Sequence, residues 1–272
     1  TNRAFVDTSM SEENARLIVE QNDDVLILTI SNPALRNALG PSIYEKGIEV
    51  IRAAHSDAKV RAIILTGADG QFCGGGNLHR LKKTREGPAS VQFDGISKFH
   101  SWIEAIRDCP KPVIAAVEGA CAGGGFSLAL ACDLIVAAES AKFVMSYIKV
   151  GLTPDGGGSH ALFNLLPRQL ALELLLDAEP ISPQRLHQLG IVNRVTAPGA
   201  ALDAALQWAA KTSHGPQQAT QRLKQLQRAA LQNSLASQLA LERDHFVASL
   251  FDAECGEGID AFFEKRPPNF RR

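Results

Sequence analysis

Two runs of three glycines, Gly74–Gly76 and Gly123–Gly125, constrain the fold of this chain more than any other feature. Each run follows a short apolar segment typical of a buried strand, Arg61–Thr66 before the first and Pro112–Glu118 before the second. The second run leads directly into a helical segment. Short apolar strands that alternate with helices are typical of an α/β fold, and the sequence therefore predicts that class.

The pattern changes along the chain. Alternating strands and helices continue to about residue 160, and from there long amphipathic segments repeat apolar residues at spacings of three and four, which favours helices. We predict a core over residues 1–205 and a helical region over residues 206–272. The stretch between residues 78 and 93 is polar and mixed, so we predict a loop or a short helix there.

Composition excludes several classes of function. The chain has 272 residues, with 28 Lys and Arg against 29 Asp and Glu, which argues against a general nucleic-acid binder. No run reaches the roughly 20 apolar residues of a membrane-spanning helix, and the charged first 20 residues lack a signal peptide's apolar core. Five cysteines without a CxxC motif favour neither a disulfide framework nor a zinc site. We therefore expect a cytoplasmic protein with no metal or redox cofactor.

The glycine turns have two interpretations that the residues leave open. Glycine lets a backbone approach a ligand closely, and a helix start carries unpaired N–H groups at the positive end of its dipole. Two such turns on neighbouring strands can direct two N–H groups at one developing oxyanion. In the other interpretation, the glycines serve tight turns and close packing of helix on sheet.

Several segments resemble the enoyl-CoA hydratase/isomerase (crotonase) superfamily. They are Phe72–Asn77, Pro112–Gly125, Ala131–Ile135, Ala141–Phe143, Gly151–Pro154 and Ala261–Arg266, in a consistent order along the chain. The resemblance implies a spiral of ββα units with a C-terminal helical region that drives trimer formation or covers the site, often in a dimer of trimers. It also implies an acyl-CoA substrate, with coenzyme A entering as part of that substrate.

The resemblance also implies roles for individual residues. Gly74 and Gly124 match the backbone donors that stabilise a thioester enolate. Arg36 and Ala38 match a segment that lines the CoA moiety, and Phe263 and Lys265 match C-terminal residues that touch the nucleotide. Arg36, Arg80, Lys82 and Lys83 are candidates for the CoA phosphates, although each is equally compatible with a solvated surface. Further pocket candidates are Phe72, Gly75, Gly76, Asn77, Leu78, His100 and Tyr147.

This sequence departs from the hydratase pattern at both catalytic carboxylates. Ser127 and Tyr147 stand where hydratases carry the two glutamates that activate water and deliver a proton. Asp155 remains, in a stretch that resembles Δ3,Δ2-enoyl-CoA isomerases and the isomerases that act on the ring epoxide of phenylacetyl-CoA, which carry their single acid there. We therefore predict double-bond isomerisation, with Asp155 as the base. On local sequence Asp155 is equally a turn or cap residue, because Pro-Asp-Gly is a good turn sequence.

Three alternatives stay open. In 4-chlorobenzoyl-CoA dehalogenases an aspartate at this position attacks the aromatic ring, and a histidine matching His100 activates water. Tyr147 replaces the tryptophan of that pattern. Loss of both glutamates is also compatible with a non-catalytic acyl-CoA-binding subunit. Gly125–Ala129 weakly resembles a serine-hydrolase turn, but we predict Ser127 inside a helix, where it packs as a small residue.

Overall fold

The computed structural model describes residues 15–271, and in that range the chain forms eight strands. Their bounds are β1 Arg16–Asn22, β2 Val25–Ser31, β3 Ala62–Gly67, β4 Val113–Val117, β5 Ala120–Ala122, β6 Leu134–Ala138, β7 Lys142–Val144 and β8 Arg194–Thr196. The two segments predicted as buried strands, Arg61–Thr66 and Pro112–Glu118, form β3 and β4 within one residue at each end. The predicted loose opening segment to residue 14 lies outside the described residues.

Eleven α-helices accompany these strands in the same range. They are α1 Pro41–Ser56, α2 Leu78–Thr84, α3 Ala89–Asp108, α4 Gly124–Ala131, α5 Gly158–Leu165, α6 Arg168–Leu176, α7 Pro183–Gln188, α8 Ala201–Ser213, α9 Gln217–Ala230, α10 Leu235–Leu250 and α11 Ala253–Glu264. Two short 3-10 turns cover Pro33–Leu35 and Ser146–Val150. The mixed stretch after residue 78, predicted as a loop or a short helix, forms the short helix α2 and the first turn of α3.

The main sheet has six strands in the order β1-β2-β3-β4-β6-β8. β1 pairs antiparallel with β2, and every other neighbour in this sheet pairs parallel. β5 and β7 form a separate two-stranded parallel sheet. Parallel strands end at one edge of the sheet, so the segments after β3 and β4 emerge side by side. The two glycine runs lie in those segments, and the predicted α/β class is confirmed.

The strands of the sheet alternate their side chains between two hydrophobic clusters. Ile63 and Leu65 face the cluster that contains α1 and α3 residues such as Trp102. Ile64 faces a smaller cluster, where α8 lies against the sheet with a row of alanines at every fourth position, Ala201, Ala205 and Ala209. The predicted boundary at residue 205 therefore falls inside a helix that packs on the core.

The helices that follow α8 are much less buried than those before it. Helices α9 and α10 contain no buried residue, and α11 buries only Ala261. Two ion pairs tie α9 to the core, Lys224 with Asp133 and Arg228 with Asp108, each at 2.5 Å. Large apolar side chains on these helices are exposed, among them Leu223, Leu239, Phe246, Phe262 and Phe263. Among the described residues, no helix is long and apolar enough to cross a membrane.

Candidate active site

A pair of backbone hydrogen bonds brings the two glycine runs together. The Cys73 N–H donates to the Ala120 carbonyl at 2.8 Å, and the Ala122 N–H donates to the Cys73 carbonyl at 2.9 Å. The segment after β3 thus runs beside β5, with Cys73 opposite Cys121. A Cβ built on Gly75 would lie 3.5 Å from the Gly124 nitrogen. The two turns are in contact, as the sequence argument requires for a shared oxyanion.

Two of the glycines are required by close contacts. Gly75 has a φ of 95°, and a Cβ there would lie 2.7 Å from the Ala122 carbonyl oxygen. A Cβ on Gly125 would lie 2.5 Å from the Cys73 carbonyl oxygen. Real Cβ atoms do not approach an oxygen this closely, so any side chain would push the two turns apart. The alternative interpretation, close packing, therefore holds at these positions.

The hydrogen bonds that the glycine N–H groups already make show that one predicted oxyanion donor, Gly74, is wrong. The Gly74 N–H donates to the Arg36 carbonyl at 2.8 Å, so it is not available to a ligand. The Gly75 N–H donates to the Cys73 Sγ at 3.3 Å. Within residues 15–271, the N–H groups of Gly76 and Gly124 have no acceptor. Gly124 is the first residue of α4, where N–H groups lack intrahelical partners. The sequence chose Gly74 because it cannot show which of three glycines is already bonded.

A chain of three polar side chains faces these turns. The Tyr147 hydroxyl donates to Asp155 Oδ1 at 2.6 Å, and Ser127 Oγ lies 3.2 Å from the same hydroxyl. Ser127 is on α4, one turn after Gly124, and Tyr147 is on the 3-10 turn that follows β7. Burial, and next the negative charge of Asp155, raise the pKa of Tyr147. The phenol therefore keeps its proton and donates a hydrogen bond to the carboxylate.

His100 and Phe99 connect the aspartate to the glycine turns. The Gly156 N–H donates to His100 Nε2 at 3.2 Å, so the ring is held next to the residue that follows Asp155. The side chain of Phe99 lies 2.5 Å from the Cβ position of Gly156 and 3.7 Å from that of Gly124. Phe99 was missed as an individual site residue, although its position next to His100 on a helix was a usable signal.

Ser127 is enclosed by the loop that carries Asp155. Its side chain is 1% exposed, and Cβ positions on Gly156 and Gly158 lie 3.1 and 2.5 Å from its atoms. A glutamate at this position would need space that the loop backbone occupies. The predicted helix around Ser127 is confirmed, and the enclosed hydroxyl lacks the exposure that a serine nucleophile requires.

Three predicted pocket residues have structural roles. Phe72 is fully buried in the core, so its side chain cannot contact a substrate. Asn77 is buried, and its Oδ1 accepts a hydrogen bond from the Arg80 N–H at 3.1 Å, which caps α2. Ala38 is buried, and its carbonyl accepts a hydrogen bond from Asn32. The side chains of these three residues are therefore occupied within the fold, and the contact that the resemblance implies for the backbone around Ala38 stays a prediction.

The remaining predicted residues lie on the surface. Arg36 is exposed beside the first glycine run, through the bond from its carbonyl to Gly74. Leu78 is 55% exposed at the start of α2. Phe263 is 77% exposed and lines a groove with Ile259 and other C-terminal residues, none of which belongs to the Asp155 cluster. Lys265 ends α11 with a left-handed backbone.

The surroundings of Asp155 are apolar but open. Three apolar residues that lie close to Asp155 in the sequence, Val150, Leu152 and Phe163, are about half exposed. They border the aspartate loop and do not enclose it. Within residues 15–271, no group of three or more His, Cys, Asp or Glu side chains is arranged to hold a metal ion. The groups around Asp155 that can act on a ligand are its carboxylate, the Tyr147 phenol and the two free amides.

Comparisons with known proteins agree with this geometry. The family model described as enoyl-CoA hydratase/isomerase matches residues 20–272. The 1,2-epoxyphenylacetyl-CoA isomerase of Escherichia coli is 34% identical over 90% of this chain and 94% of its own length. The 2,3-dehydroadipyl-CoA hydratase of the same organism is also 34% identical, over 94% and 99%. The crystal structure of an enoyl-CoA hydratase from Polaromonas sp. JS666 superposes with a TM-score of 0.92, at 52% identity, over 93% and 99%. The predicted fold family is confirmed.

Proposed function

The chain belongs to the enoyl-CoA hydratase/isomerase family, and on that premise we propose that it isomerises unsaturated acyl-CoA thioesters. The reaction moves a carbon–carbon double bond into or out of conjugation with the thioester carbonyl. The observation that carries this proposal is the cluster around Asp155. It holds one carboxylate, positioned by the Tyr147 hydroxyl at 2.6 Å, where a hydratase would hold two.

The proposed mechanism uses each part of the site once. Asp155 removes a proton from the carbon between the double bond and the thioester, and the electron pair moves onto the thioester oxygen. The N–H groups of Gly76 and Gly124 stabilise the resulting enolate oxygen. The proton on Asp155 then returns to the distal carbon, and the double bond forms in its new position. Atoms balance without a second acid or a water molecule.

Hydration is disfavoured by the residues that replace the glutamates. Addition of water needs one group to activate water and a second to deliver a proton. Ser127 is enclosed, and the raised pKa of Tyr147 makes its phenol a poor acid and an unavailable base. Two of the relatives are named as an isomerase and a hydratase at equal identity, so these residues, and not overall similarity, support the choice.

The test is direct. The wild-type protein and Asp155→Asn are mixed with a 3-enoyl-CoA, and the conjugated thioester is followed by its ultraviolet absorbance, with a 2-enoyl-CoA as the hydration substrate. We expect conjugation by the wild type and almost none by the variant. Hydration of the 2-enoyl-CoA at a rate equal to or above isomerisation would contradict the proposal.

A hydrolytic reaction on aromatic acyl-CoA is the second candidate. The observation in its favour is the hydrogen bond between the Gly156 N–H and His100 Nε2, which holds the imidazole one residue from Asp155. In that reaction the Asp155 carboxylate attacks the ring and displaces chloride. Water that His100 deprotonates then hydrolyses the resulting aryl ester, which releases the ring as a phenol and restores the carboxylate. His100→Gln would then abolish turnover of 4-chlorobenzoyl-CoA, whereas it should change isomerisation less than about threefold. A non-catalytic subunit would instead bind acyl-CoA and exchange no proton with D₂O.

Two further features are part of the proposal. Arg36, beside the first glycine run, and the exposed Lys82 and Lys83 are suited to the phosphates of CoA. The exposed apolar faces of α9 to α11 are suited to a homotrimer or a dimer of trimers, which would bring Phe263 and Lys265 of one subunit near the site of another. Sedimentation analysis tests the assembly, and we propose no cofactor beyond the CoA of the substrate.

A further inference from the structure

The free N–H of Gly76 belongs to a peptide group whose other end is already bonded. The Gly75 carbonyl, which shares that peptide plane, accepts a hydrogen bond from the Leu39 N–H at 2.8 Å. In a trans peptide the carbonyl and the N–H point in opposite directions. The bond from Leu39 therefore fixes the plane and directs the Gly76 N–H away from the Leu39 segment. Gly76 itself is exposed, so this N–H is open to a ligand.

The same arrangement repeats one step further from the site. The Leu39 N–H shares its peptide plane with the Ala38 carbonyl, and that carbonyl accepts a hydrogen bond from Asn32 Nδ2 at 3.1 Å. The side chain of Asn32 is buried. A chain of hydrogen bonds thus runs from the side-chain amide of Asn32 through one peptide group to a second, which carries the Gly76 N–H. Bonds in such a chain orient and polarise one another.

Asn32 has a polar atom that its surroundings leave unsatisfied. Its Oδ1 is buried without a hydrogen-bond partner in the described part of the chain. A buried acceptor without a partner is costly, and an apolar side chain would avoid that cost. The bond that Asn32 Nδ2 donates to the Ala38 carbonyl is therefore the part of this side chain that explains its presence.

Asn37 holds Asn32 and the segment that follows it in place. Its buried Oδ1 accepts a hydrogen bond from the Asn32 N–H at 2.9 Å, and its N–H donates to the Asn32 carbonyl at 2.8 Å. Its Nδ2 donates to the carbonyls of Ala68 at 2.8 Å and Gln71 at 2.6 Å, in the loop before the first glycine run. Arg36 and Asn37 have φ of 51° and 57°. Non-glycine residues keep this left-handed backbone only where their surroundings fix it, and the bonds of Asn37 do so.

We propose that Asn32 and Asn37 are positioning residues for the oxyanion donor of Gly76. Asn37 fixes the segment, and Asn32 starts the chain of bonds that orients the peptide between Gly75 and Gly76. The proposal rests on the proposed function, in which the Gly76 N–H stabilises an enolate oxygen. If this peptide plane rotated, the Gly75 carbonyl would face the substrate in place of the N–H, and a carbonyl oxygen repels an enolate.

The competing interpretation is that the two asparagines only stabilise the fold. Their bonds to Ala38, Ala68 and Gln71 would stabilise these loops whatever the Gly76 N–H does. The two roles differ in what they change. A purely structural role changes the fraction of folded protein, whereas positioning changes how strongly each folded molecule polarises a bound thioester carbonyl.

Infrared difference spectroscopy measures that polarisation without turnover. The probe is butanoyl-CoA isotope-labelled at the thioester carbonyl, whose stretching frequency falls when its oxygen accepts hydrogen bonds. We expect the wild-type complex to show a lowered frequency. Asn32→Ala should lose about half of that shift, because Gly124 still donates and Gly76 does not. The kcat for a 3-enoyl-CoA should fall about tenfold to a hundredfold, at most the loss of one oxyanion donor, with KM within about threefold of wild type.

Asn37→Gly tests the same chain of bonds at its other support. Glycine adopts a left-handed backbone without strain, so this variant removes the side-chain bonds and leaves the conformation accessible. We expect the infrared shift and kcat to change in the same direction as in Asn32→Ala. Because the two variants remove different bonds, either one alone carries the test if the other does not fold.

Asn193→Ala is the matched control. The Oδ1 of Asn193 also accepts a backbone hydrogen bond, from the Ile135 N–H at 2.8 Å, next to the edge strand β8. This variant should unfold at a lower temperature but keep the full infrared shift and a kcat within about twofold of wild type. Folded Asn32→Ala or Asn37→Gly with the wild-type shift and kcat would overturn the proposal. A wild-type complex without a lowered frequency would overturn it too.

The reaction and the positioning role can fail separately. If wild type lowers the carbonyl frequency, the variants lose that shift and no 3-enoyl-CoA is isomerised, then the proposed reaction fails and the positioning role stands. If wild type isomerises the 3-enoyl-CoA and the folded variants do so at the same rate, then the positioning role alone fails.

Discussion

The two sides of the site differ in kind: one consists of backbone amides and the other of side chains. On one side, the free amides of Gly76 and Gly124 belong to backbone turns held by hydrogen bonds through Cys73. On the other side, Asp155 and Tyr147 meet through side chains on a half-exposed loop and a 3-10 turn. The backbone side depends on the sheet edge and cannot be altered without disturbing the fold. The side-chain side can be exchanged residue by residue, so it is where the reaction can change.

The largest expected effect is on the side-chain side. Asp155→Asn keeps an oxygen that can accept the bond from Tyr147 but removes the base. We expect turnover of a 3-enoyl-CoA to fall about 10³-fold, within the range of general acid–base catalysis, with the thermal unfolding temperature unchanged. Asp177→Asn, on the exposed end of α6, is the matched control and should leave turnover at the wild-type level. Turnover above a tenth of wild type in Asp155→Asn would exclude the aspartate as the base.

The backbone side should respond in both activity and stability. In Gly75→Ala, the new Cβ meets the Ala122 carbonyl at 2.7 Å from a backbone with positive φ. We expect about 10²-fold loss of turnover, comparable to loss of one oxyanion donor, and a decrease of about 1–3 kcal/mol in the free energy of unfolding. Denaturant unfolding and initial rates measure the two effects.

Gly70→Ala is the control for backbone strain. Gly70 also has a positive φ, of 65°, but nothing lies within 4 Å of its Cβ position. The Gly70→Ala variant should be less stable than wild type but should keep the free amides of Gly76 and Gly124 in place. Its turnover should therefore stay within about twofold of wild type. If Gly75→Ala loses no more activity than Gly70→Ala, contact between the turns is not needed for catalysis.

A smaller effect is expected when the support of the base is removed. Tyr147→Phe deletes the donor to Asp155 Oδ1 and leaves the ring. We expect kcat to fall about tenfold with KM within about twofold, because the carboxylate loses one positioning bond of ~1.5 kcal/mol. Burial raises the pKa of Tyr147 above the usual value near 10, so the protonated phenol should persist in wild type and turnover should not decline through this group up to about pH 10. A wild-type decline near pH 9 that Tyr147→Phe lacks would show ionisation and contradict this role.

The smallest expected effect tests whether a thiol reagent can reach Cys73, which lies between the two glycine turns. Cys73 is fully buried, and burial raises the pKa of its thiol to about 12, so at pH 8 it is protonated and inaccessible. A thiol reagent should modify the half-buried Cys255 in the native protein and leave turnover unchanged. Cys255→Ser should then show almost no native labelling, and denaturant should release the other thiols. Rapid labelling together with inactivation in Cys255→Ser would show that the turns open.

The sequence predicted the local structure of the core because its signals are local. Apolar strands such as β4, the glycine runs, and the serine inside α4 all follow from spacing and residue type. Predictions from the sequence were wrong where the role of a residue depends on contacts with residues far away in the chain. The Gly74 amide donates a hydrogen bond to the carbonyl of Arg36, 38 positions earlier. Phe72 matches the family's motif for a pocket residue, but its side chain is buried in the core. The boundary predicted at residue 205 lies inside α8, whose alanine face packs on strands far away in the sequence.

By itself, the sequence determined the α/β class, the position of two glycine turns and the replacement of two expected glutamates by Ser127 and Tyr147. These depend on residue identity and on periodicity along a short segment. Only the tertiary structure decided which amides are free and that Tyr147 donates to Asp155. Hydrogen bonds form only when donor and acceptor atoms are about 3 Å apart. Which atoms of separate helices, strands and turns come that close depends on how the whole chain packs.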